Sequence, residues 1–469
     1  MYDDYANKRV TIMGLGHFGG GVGAARFFAE RGAAVTVTDL KGPEDLADSI
    51  EHLRGYGISY RLRRHRRADF LNADIVVPSP AVPRQSPLLA LAREHGAQLD
   101  TEMNLFVRRC PAGIIGVTGT NGKTTTAAML GHILQSAGRT TWLGGNIGRS
   151  LLADLPAMRP GDHVVLEMSS FQLEWLPQTG LCPHLSIVTN LAPDHLDRYR
   201  SVDEYYAAKW QIAAGHREGD WLVLNADCPE LADWAGRAPS RVLPFSFAQE
   251  LAEGVFCRGD AIMARLDGQE QYLCPIDALK LPGRHNVENA LAAAAGCVIV
   301  GLPPAQIEAG IRSFTGVEHR IEFVAEVDGV RYYNDSKATT PDSTIVALRA
   351  FQCPIVLIAG GSGKGLSFEP MARAMHGRVR GGVLIGKTAD EIAACMRAER
   401  SEIEPVRCAS LHEAVLAARK LAQPGDVVLL SPADASYDMF RNYEERGELF
   451  RHEVHQLASR EPAEQRERG

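Results

Sequence analysis

The first hundred residues alternate short β-branched runs with Ala-rich stretches of helical spacing. Arg9–Met13 (RVTIM) predicts a strand, followed by glycines and a helix through Phe27. Ala34–Thr38 (AVTVT) and Ile75–Val77 predict further strands, and Arg84–Asp100 a helix. Strands alternating with helices imply βαβ units and a parallel sheet. The pattern restarts at Gly113–Val117 and continues through Val164–Leu166, Leu185–Thr189 and Trp221–Leu224. Between Arg241 and Leu281 short β segments take over, and a helix returns over Asn286–Val300. A third restart after Phe314-Thr315-Gly316 places strands near Ile321–Val327, Val330–Tyr333, Ile355–Ala359, Gly382–Ile385 and Val427–Leu430. The expectation is an α/β chain of three domains, 1–101, 102–316 and 317–469, ending in a charged, frayed tail over Glu461–Gly469.

Composition agrees with this reading and removes some partners. A chain of 469 residues, 45% hydrophobic and 23% charged, has room for three ordinary domains and is not disordered. Its 50 Lys plus Arg against 57 Asp plus Glu give a formal charge of −7, no global footprint for nucleic acid or an anionic membrane. The longest apolar run, Ala290–Leu302, is too short and too Ala-rich to span a bilayer, and the N-terminus carries no secretory pattern. Nine cysteines without a Cys-x-x-Cys pair disfavour a disulfide framework and a structural zinc site. A cytoplasmic monomer with neither nucleic-acid nor membrane partners is expected.

Three glycine clusters carry the candidate chemistry. Gly14-Leu15-Gly16-His17-Phe18-Gly19 follows a strand and opens a helix, and Asp39 closes the next strand. This spacing suits a nucleotide diphosphate at a helix N-terminus, with the acid reaching a ribose hydroxyl. A turn that only packs helix on sheet, or an NAD enzyme, satisfies the same pattern. Gly119-Thr120-Asn121-Gly122-Lys123-Thr124 lies between a strand and the helical run Thr125–Leu134. Val117 occupies the first glycine of the strict phosphate-loop template, yet the physics is retained: backbone N–H groups wrap phosphate, Lys123 reaches it, and the Thr124 hydroxyl ligates Mg²⁺. Gly360-Gly361-Ser362-Gly363-Lys364-Gly365 is the third, without a hydroxyl after its lysine; a substrate-facing Lys364 and a plain strand-to-helix loop remain equal readings.

Around the second cluster, Glu167 ends a buried strand, where a carboxylate is well placed to hold Mg²⁺ or to make a salt bridge. His195, in Pro193-Asp194-His195-Leu196-Asp197, has metal-ligand, phosphate-contact and structural readings. Lys209 sits among aromatic and apolar residues on a helix, where a snorkelling, solvated ammonium is the ordinary reading.

Together these residues resemble the Mur ligases, ATP-dependent amide-forming enzymes of bacterial cell-wall precursor synthesis. The resemblance spans nearly the whole chain: GTNGKTTT (119–126), GGNIG (144–148), EMSSFQLE (167–174), DHLDRY (194–199), HNVENALAA (285–293), EHRIE (318–322), NDSKATT (334–340) and SPADASYDMF (431–440). SSFQL and SPA-x-AS-x-D-x-F point to members that join D-glutamate to UDP-N-acetylmuramoyl-L-alanine, and the Asp-Asn-Pro-Arg motif of members adding lysine or diaminopimelate is absent.

The resemblance implies a Rossmann-like N-terminal domain for the UDP substrate, a phosphate-loop ATPase domain, and a Rossmann-like C-terminal domain for the amino acid. It assigns Leu15, His17, Phe18 and Asp39 to the UDP end and Asn146 to substrate near the phosphates. Gly119, Thr120, Asn121, Gly122, Lys123, Thr124, Thr125, Asn289, Arg320 and Asp335 go to ATP, and Lys337, Thr339, Lys364, Ser436 and Tyr443 to the incoming amino acid. Two Mg²⁺ ions are implied, held by Thr124, Glu167, His195 and a carbamylated Lys209. Lys123, Glu167, His195 and Lys209 would carry the chemistry. Ser362 stands where the family usually has an acid, and Tyr443 where it has Phe.

Overall fold

The computed structural model describes residues 5–16, 19–146, 150–196, 198–363, 366–399 and 403–464. His17, Phe18 and Lys364, three of the expected site residues, therefore lie outside the described residues, as do Ile147, Gly148 and Asp197 of the family motifs and residues 465–469 of the tail. The described strands form three sheets. The first, of five parallel strands, has the order β3 (Ser59–Arg61), β2 (Ala34–Thr38), β1 (Arg9–Met13), β4 (Ile75–Pro78), β5 (Gln98–Leu99). The second contains β6 (Gly113–Thr118), β7 (Thr141–Gly145), β8 (His163–Glu167), β9 (Leu185–Val188), β10 (Trp221–Asn225), β11 (Arg241–Ser246), β12 (Gly254–Arg258), β13 (Ala261–Leu266) and β14 (Gln269–Pro275). Its order, β14-β13-β12-β11-β10-β9-β6-β8-β7, is parallel from β7 to β12 and ends in an antiparallel meander. The third runs β15 (Glu322–Val327), β16 (Val330–Asn334), β20 (Val427–Leu430), β17 (Ile355–Ala359), β18 (Val379–Leu384), β19 (Val406–Arg407), with β15 alone antiparallel.

The central strands are near-continuous apolar runs because helices cover both faces; every residue of β4, β9, β17 and β20 is buried, and the one polar side chain among them, Ser186, donates to Ile212 O at 3.0 Å. Four strands escape the apolar pattern, namely β3, β5, β7 and β19. Each lies near or at a sheet edge and is short or Gly-rich, so it needs no long apolar run. The helix expected over Arg84–Asp100 occupies only Pro87–Glu94: Gly96 turns the chain at φ 85°, and Gln98–Leu99 pairs with β4.

Two compact units emerge, 1–278 with 287–313, and 279–286 with 314–469. The first two sheets share one unit because their cores are continuous. Met103, Leu105, Phe106 and Val107 of the short helix Glu102–Val107 join Phe27 and Phe28 of the first sheet's helix to Leu151 and Leu166 of the second in one apolar cluster. The third sheet has its own cores on its two faces. No helix among the described residues is long and apolar enough to cross a membrane.

Candidate active site

In the first unit, β6 is the point where strand order reverses, so the loop leaving its C-terminal end opens into a crevice. That loop is Gly119–Gly122, and the helix Lys123–Ser136 follows with Gly122 as its left-handed N-cap at φ 82°. Neighbouring strand ends brace it. Asn190 Oδ1 accepts the Asn121 N–H at 2.9 Å, and Asn190 Nδ2 donates to the Asn121 carbonyl at 3.1 Å. The Thr189 hydroxyl donates to the same carbonyl at 2.5 Å, and the Thr120 hydroxyl to Ala192 O at 3.1 Å. Asn289 lies against the loop, accepting from the Thr126 hydroxyl at 3.3 Å. Gly119 has φ 148°, and a Cβ there would collide with the Thr189 hydroxyl. Gly119→Ala is therefore expected to cost about 2 kcal/mol of stability and to weaken ATP binding. Wild-type melting and ATP affinity would show that the loop tolerates the methyl group.

Lysines 123 and 209 meet at one oxygen. Lys123 Nζ donates to the carbonyls of Gly119 at 2.9 Å and Thr120 at 2.7 Å, while Lys209 Nζ donates to Gly119 O at 2.7 Å. Lys209, on the helix Val202–Trp210, is only 1% exposed, which excludes a snorkelling ammonium. Burial, reinforced by the Lys123 charge, pulls its pKa down to about 6, against the opposing pull of Asp194 and Glu167. Its amine is thereby biased toward the neutral form.

Tyr205, one helical turn before Lys209, ties the group together. Its ring lies 4.6 Å from Lys209 Nζ, its hydroxyl is 3.3 Å from that of Thr120, and its ring contacts His195 at 5.9 Å. The i, i+4 spacing of Tyr205 and Lys209 was the available signal for this missed residue. His195 itself is partly exposed, held at φ 54° with its N–H on Asp194 Oδ1 and its ring 4.9 Å from Phe171.

Glu167 ends β8 at 2% exposure. Its Oε1 accepts from Asn146 Nδ2 at 2.8 Å, and its Oε2 is buried with no hydrogen-bond partner. No group of three His, Cys, Asp or Glu side chains forms a metal site among the described residues. An orphaned carboxylate oxygen beside a phosphate loop nevertheless fits Mg²⁺, a hard cation that takes few protein oxygens and completes its shell with water and phosphate. The salt-bridge reading of Glu167 has no cation partner to support it among the described ion pairs.

Asn146 also lines a cavity of about 270 Å³ that runs from the first glycine cluster to the segment Ser169–Trp175. Leu15, Gly16 and Gly20 form its wall at the first glycine cluster. The Asp39 carboxylate accepts the N–H groups of Leu15 at 2.8 Å and Lys41 at 2.9 Å. It thereby braces the glycine turn from within.

The second unit gathers the remaining residues. Asp335, after β16, is 4% exposed; its carboxyl accepts from the Ser431 hydroxyl at 2.7 Å and Ile321 N at 3.2 Å, and burial pushes its pKa up to about 7, with the exposed Arg320 lowering it. Lys337 Nζ lies 5.8 Å from the Tyr443 ring, and the Ser336 hydroxyl donates to Tyr443 O at 2.8 Å. Ser436 is buried, and Thr339 follows on the same turn as Lys337. Arg446, unremarked in the sequence, is fully buried; it donates to Ser336 Oγ and O, both at 2.9 Å. The third glycine cluster does not form a phosphate cradle in its described part. Gly361 packs against the Ala435 carbonyl with no room for a side chain, the Gly363 N–H is taken by Asp434 Oδ2 at 2.8 Å, and the next helix opens only at Glu369.

A phosphate loop with a strand-end carboxylate, beside a cavity and followed by a second α/β unit, marks a nucleotide-using enzyme, and the family match makes its class an ATP-dependent ligase. Family models agree domain by domain: "Mur ligase MurD-like, N-terminal domain" matches 8–100, "Mur ligase middle domain" 117–297 and "Mur ligase, glutamate ligase domain" 319–434. The chain belongs to the Mur ligase family, enzymes that use ATP and Mg²⁺ to form an amide bond. It is 45% identical over 458 residues to the UDP-N-acetylmuramoylalanine–D-glutamate ligase of Roseiflexus sp. (strain RS-1), covering 95% of this chain and 98% of that one. It is 43% identical to the protein of that name from Pelotomaculum thermopropionicum, over 96% and 98% of the two chains. Among solved structures, the UDP-N-acetylmuramate-alanine ligase MurC of Thermotoga maritima shares the fold, with a TM-score of 0.60 at 22% identity over 96% of this chain and 99% of the other. A pseudomurein peptide ligase type C from Methanothermus fervidus does so at 0.53 and 19%, over 96% and 100%.

Proposed function

We propose that this protein adds D-glutamate to UDP-N-acetylmuramoyl-L-alanine, with cleavage of ATP to ADP and phosphate, in peptidoglycan precursor synthesis. The observation that carries this reading is one continuous path in the first unit: the cavity reaches Asn146, Asn146 bonds Glu167, and Glu167 ends the strand beside the phosphate loop's own. The relatives named for D-glutamate addition supply the substrate pair. Residues 1–101 would bind the UDP end, 102–316 ATP and 317–469 the amino acid.

A carboxylate is a poor electrophile, so it is activated first. The ATP γ-phosphoryl group passes to the alanyl carboxylate, giving an acyl phosphate and ADP. The glutamate amine attacks the carbonyl carbon, and the tetrahedral intermediate collapses to amide and phosphate. Two anions must meet in the first step. Lys123, released from the loop carbonyls it now bonds, would offset their repulsion along with the loop N–H groups. Mg²⁺ supplies further positive charge; two ions are proposed, one held by Thr124 and Glu167, the second by His195 and Lys209. For the last, the neutral Lys209 amine would add to CO₂, forming an N–C bond and losing a proton, and so become an anionic oxygen ligand. Asn289, Arg320 and Asp335 would bind the nucleotide, and Lys337, Thr339, Ser436 and Tyr443 the amino acid, with the first turn and Asp39 at the UDP end.

The test is phosphate release with UDP-N-acetylmuramoyl-L-alanine, ATP and a panel of D-glutamate, L-glutamate, lysine and diaminopimelate. Release is expected with D-glutamate, at a rate at least tenfold above the others. No release with D-glutamate would overturn the assignment, and preference for L-glutamate would identify a ligase of the same class with another substrate.

A further inference from the structure

The substrate cavity contains one ionisable side chain among its described lining residues, and it is an acid, Glu102. The remaining wall is apolar or uncharged: Ile12, Val77 and Met103 on one hand, Ser79, Asn146 and Gln172 on the other. Glu102 is the first residue of the helix Glu102–Val107, whose following residues are buried in the shared core, so the backbone carrying it is fixed. Its Oε1 accepts the Ser150 hydroxyl at 2.5 Å, and its Oε2 makes no hydrogen bond among the described residues. Ser150 is fixed in turn, since its oxygen accepts the Leu152 N–H at 3.3 Å and it packs against Gly23 of the first sheet's helix. Burial pushes the Glu102 carboxyl up to about 7, with the Ser150 bond opposing.

The muramoyl-alanyl part of the proposed substrate lies between two anions, the diphosphate that joins it to uridine and the terminal carboxylate. A carboxyl group in the cavity wall is unfavourable beside either and favourable only beside a neutral N–H or O–H donor. Such donors lie between the two anions, on the acetamido, sugar hydroxyl and alanyl amide groups, and beyond the diphosphate on the uridine; because the cavity reaches Asn146 and through it Glu167, the segment between the anions is the one that passes Glu102. Asn146, at the near end of the segment that leads to Ser150, bonds the catalytic Glu167. A substrate held at Glu102 in its middle is thereby aligned with its carboxylate toward the phosphate loop.

We propose that Glu102 is a substrate-positioning residue, whose Ser150-oriented carboxyl accepts a hydrogen bond from an N–H or O–H donor of the uncharged muramoyl segment. This rests on the substrate assignment above. The experiment compares Glu102→Ala, Glu102→Gln and Ser150→Ala with wild type by steady-state kinetics, varying the sugar nucleotide, ATP and D-glutamate in turn. Expected for Glu102→Ala is a KM for UDP-N-acetylmuramoyl-L-alanine raised tenfold or more, with kcat and the other two KM values within about twofold. Glu102→Gln, which keeps an acceptor oxygen, recovers most of the loss, and Ser150→Ala lies between. Direct binding of the sugar nucleotide without ATP weakens in the same order. An unchanged KM in Glu102→Ala overturns the proposal. So does a parallel loss of kcat and all three KM values with a lower melting temperature, which marks a structural role. If Glu102→Ala does not fold, Glu102→Gln and Ser150→Ala decide: wild-type KM in both overturns it. A wild-type enzyme inactive on this substrate instead removes the substrate assignment.

Discussion

Lys209→Met is expected to lose at least about a thousandfold in turnover and yet to melt at a higher temperature than wild type near pH 6. The activity loss follows from position: the amine shares the Gly119 carbonyl with Lys123 and feels the charges of Asp194 and Glu167. The stability gain follows from linkage. In the unfolded chain the lysine holds its proton up to its ordinary value of 10.5, whereas the folded site releases it above about 6. Between these values the unfolded state binds more protons, so wild-type stability rises with pH across that window, and the penalty for burying the amine is largest at and below its lower end. Met removes the penalty, on the order of a few kcal/mol after the lost bond to Gly119 O is set against it. The advantage of the variant should shrink as pH rises toward 10. In buffer stripped of CO₂ the wild-type enzyme should slow and recover with bicarbonate, and small carboxylates should partly restore Lys209→Ala. Wild-type turnover in the Met variant would remove Lys209 from the site; a lower melting temperature at every pH would show that the amine is not desolvated at a cost.

How much of this was legible in the sequence depends on where each residue lies. Fully buried strands such as β17 and β20 must be apolar throughout, so their positions could be read directly. Edge strands such as Ser59–Arg61 and Gln98–Leu99 owe their form to a neighbour's hydrogen bonds, and nothing in their own composition announces it. The phosphate loop was legible because loop and helix are consecutive. Its bracing by Thr189 and Asn190, and the Tyr205 bridge between Thr120 and His195, depend on strand order and could not be. Lys209 is the sharpest case. A lysine between alanine and tryptophan looks the same whether it snorkels or is buried, and only the packed helix separates the two. Asp39 shows the reverse: spacing identified the acid, but the N–H groups of Leu15 and Lys41 that its carboxylate also accepts depend on the folded turn and could not be read.

Glu167→Gln should lower turnover by about a thousandfold or more while leaving the fold intact. The exchange is isosteric, and an acceptor oxygen remains for Asn146 Nδ2, the one side chain bonded to Glu167 among the described residues. What it removes is the negative charge at Oε2, an atom buried without a partner. A buried carboxylate oxygen with no donor costs stability, so its retention demands a compensating cation when the site is in use. Two thermal measurements separate this from a structural role. Without Mg²⁺, the Gln variant should melt at or above the wild-type temperature, because an uncompensated charge has been removed. With millimolar Mg²⁺ and ADP, wild type should gain stability according to the ratio of free ion to its dissociation constant, and the variant should gain much less. An equal Mg²⁺-dependent shift in both proteins would place the ion elsewhere. A variant that melts well below wild type without the ion would make Glu167 a structural acid, whose charge the fold itself requires.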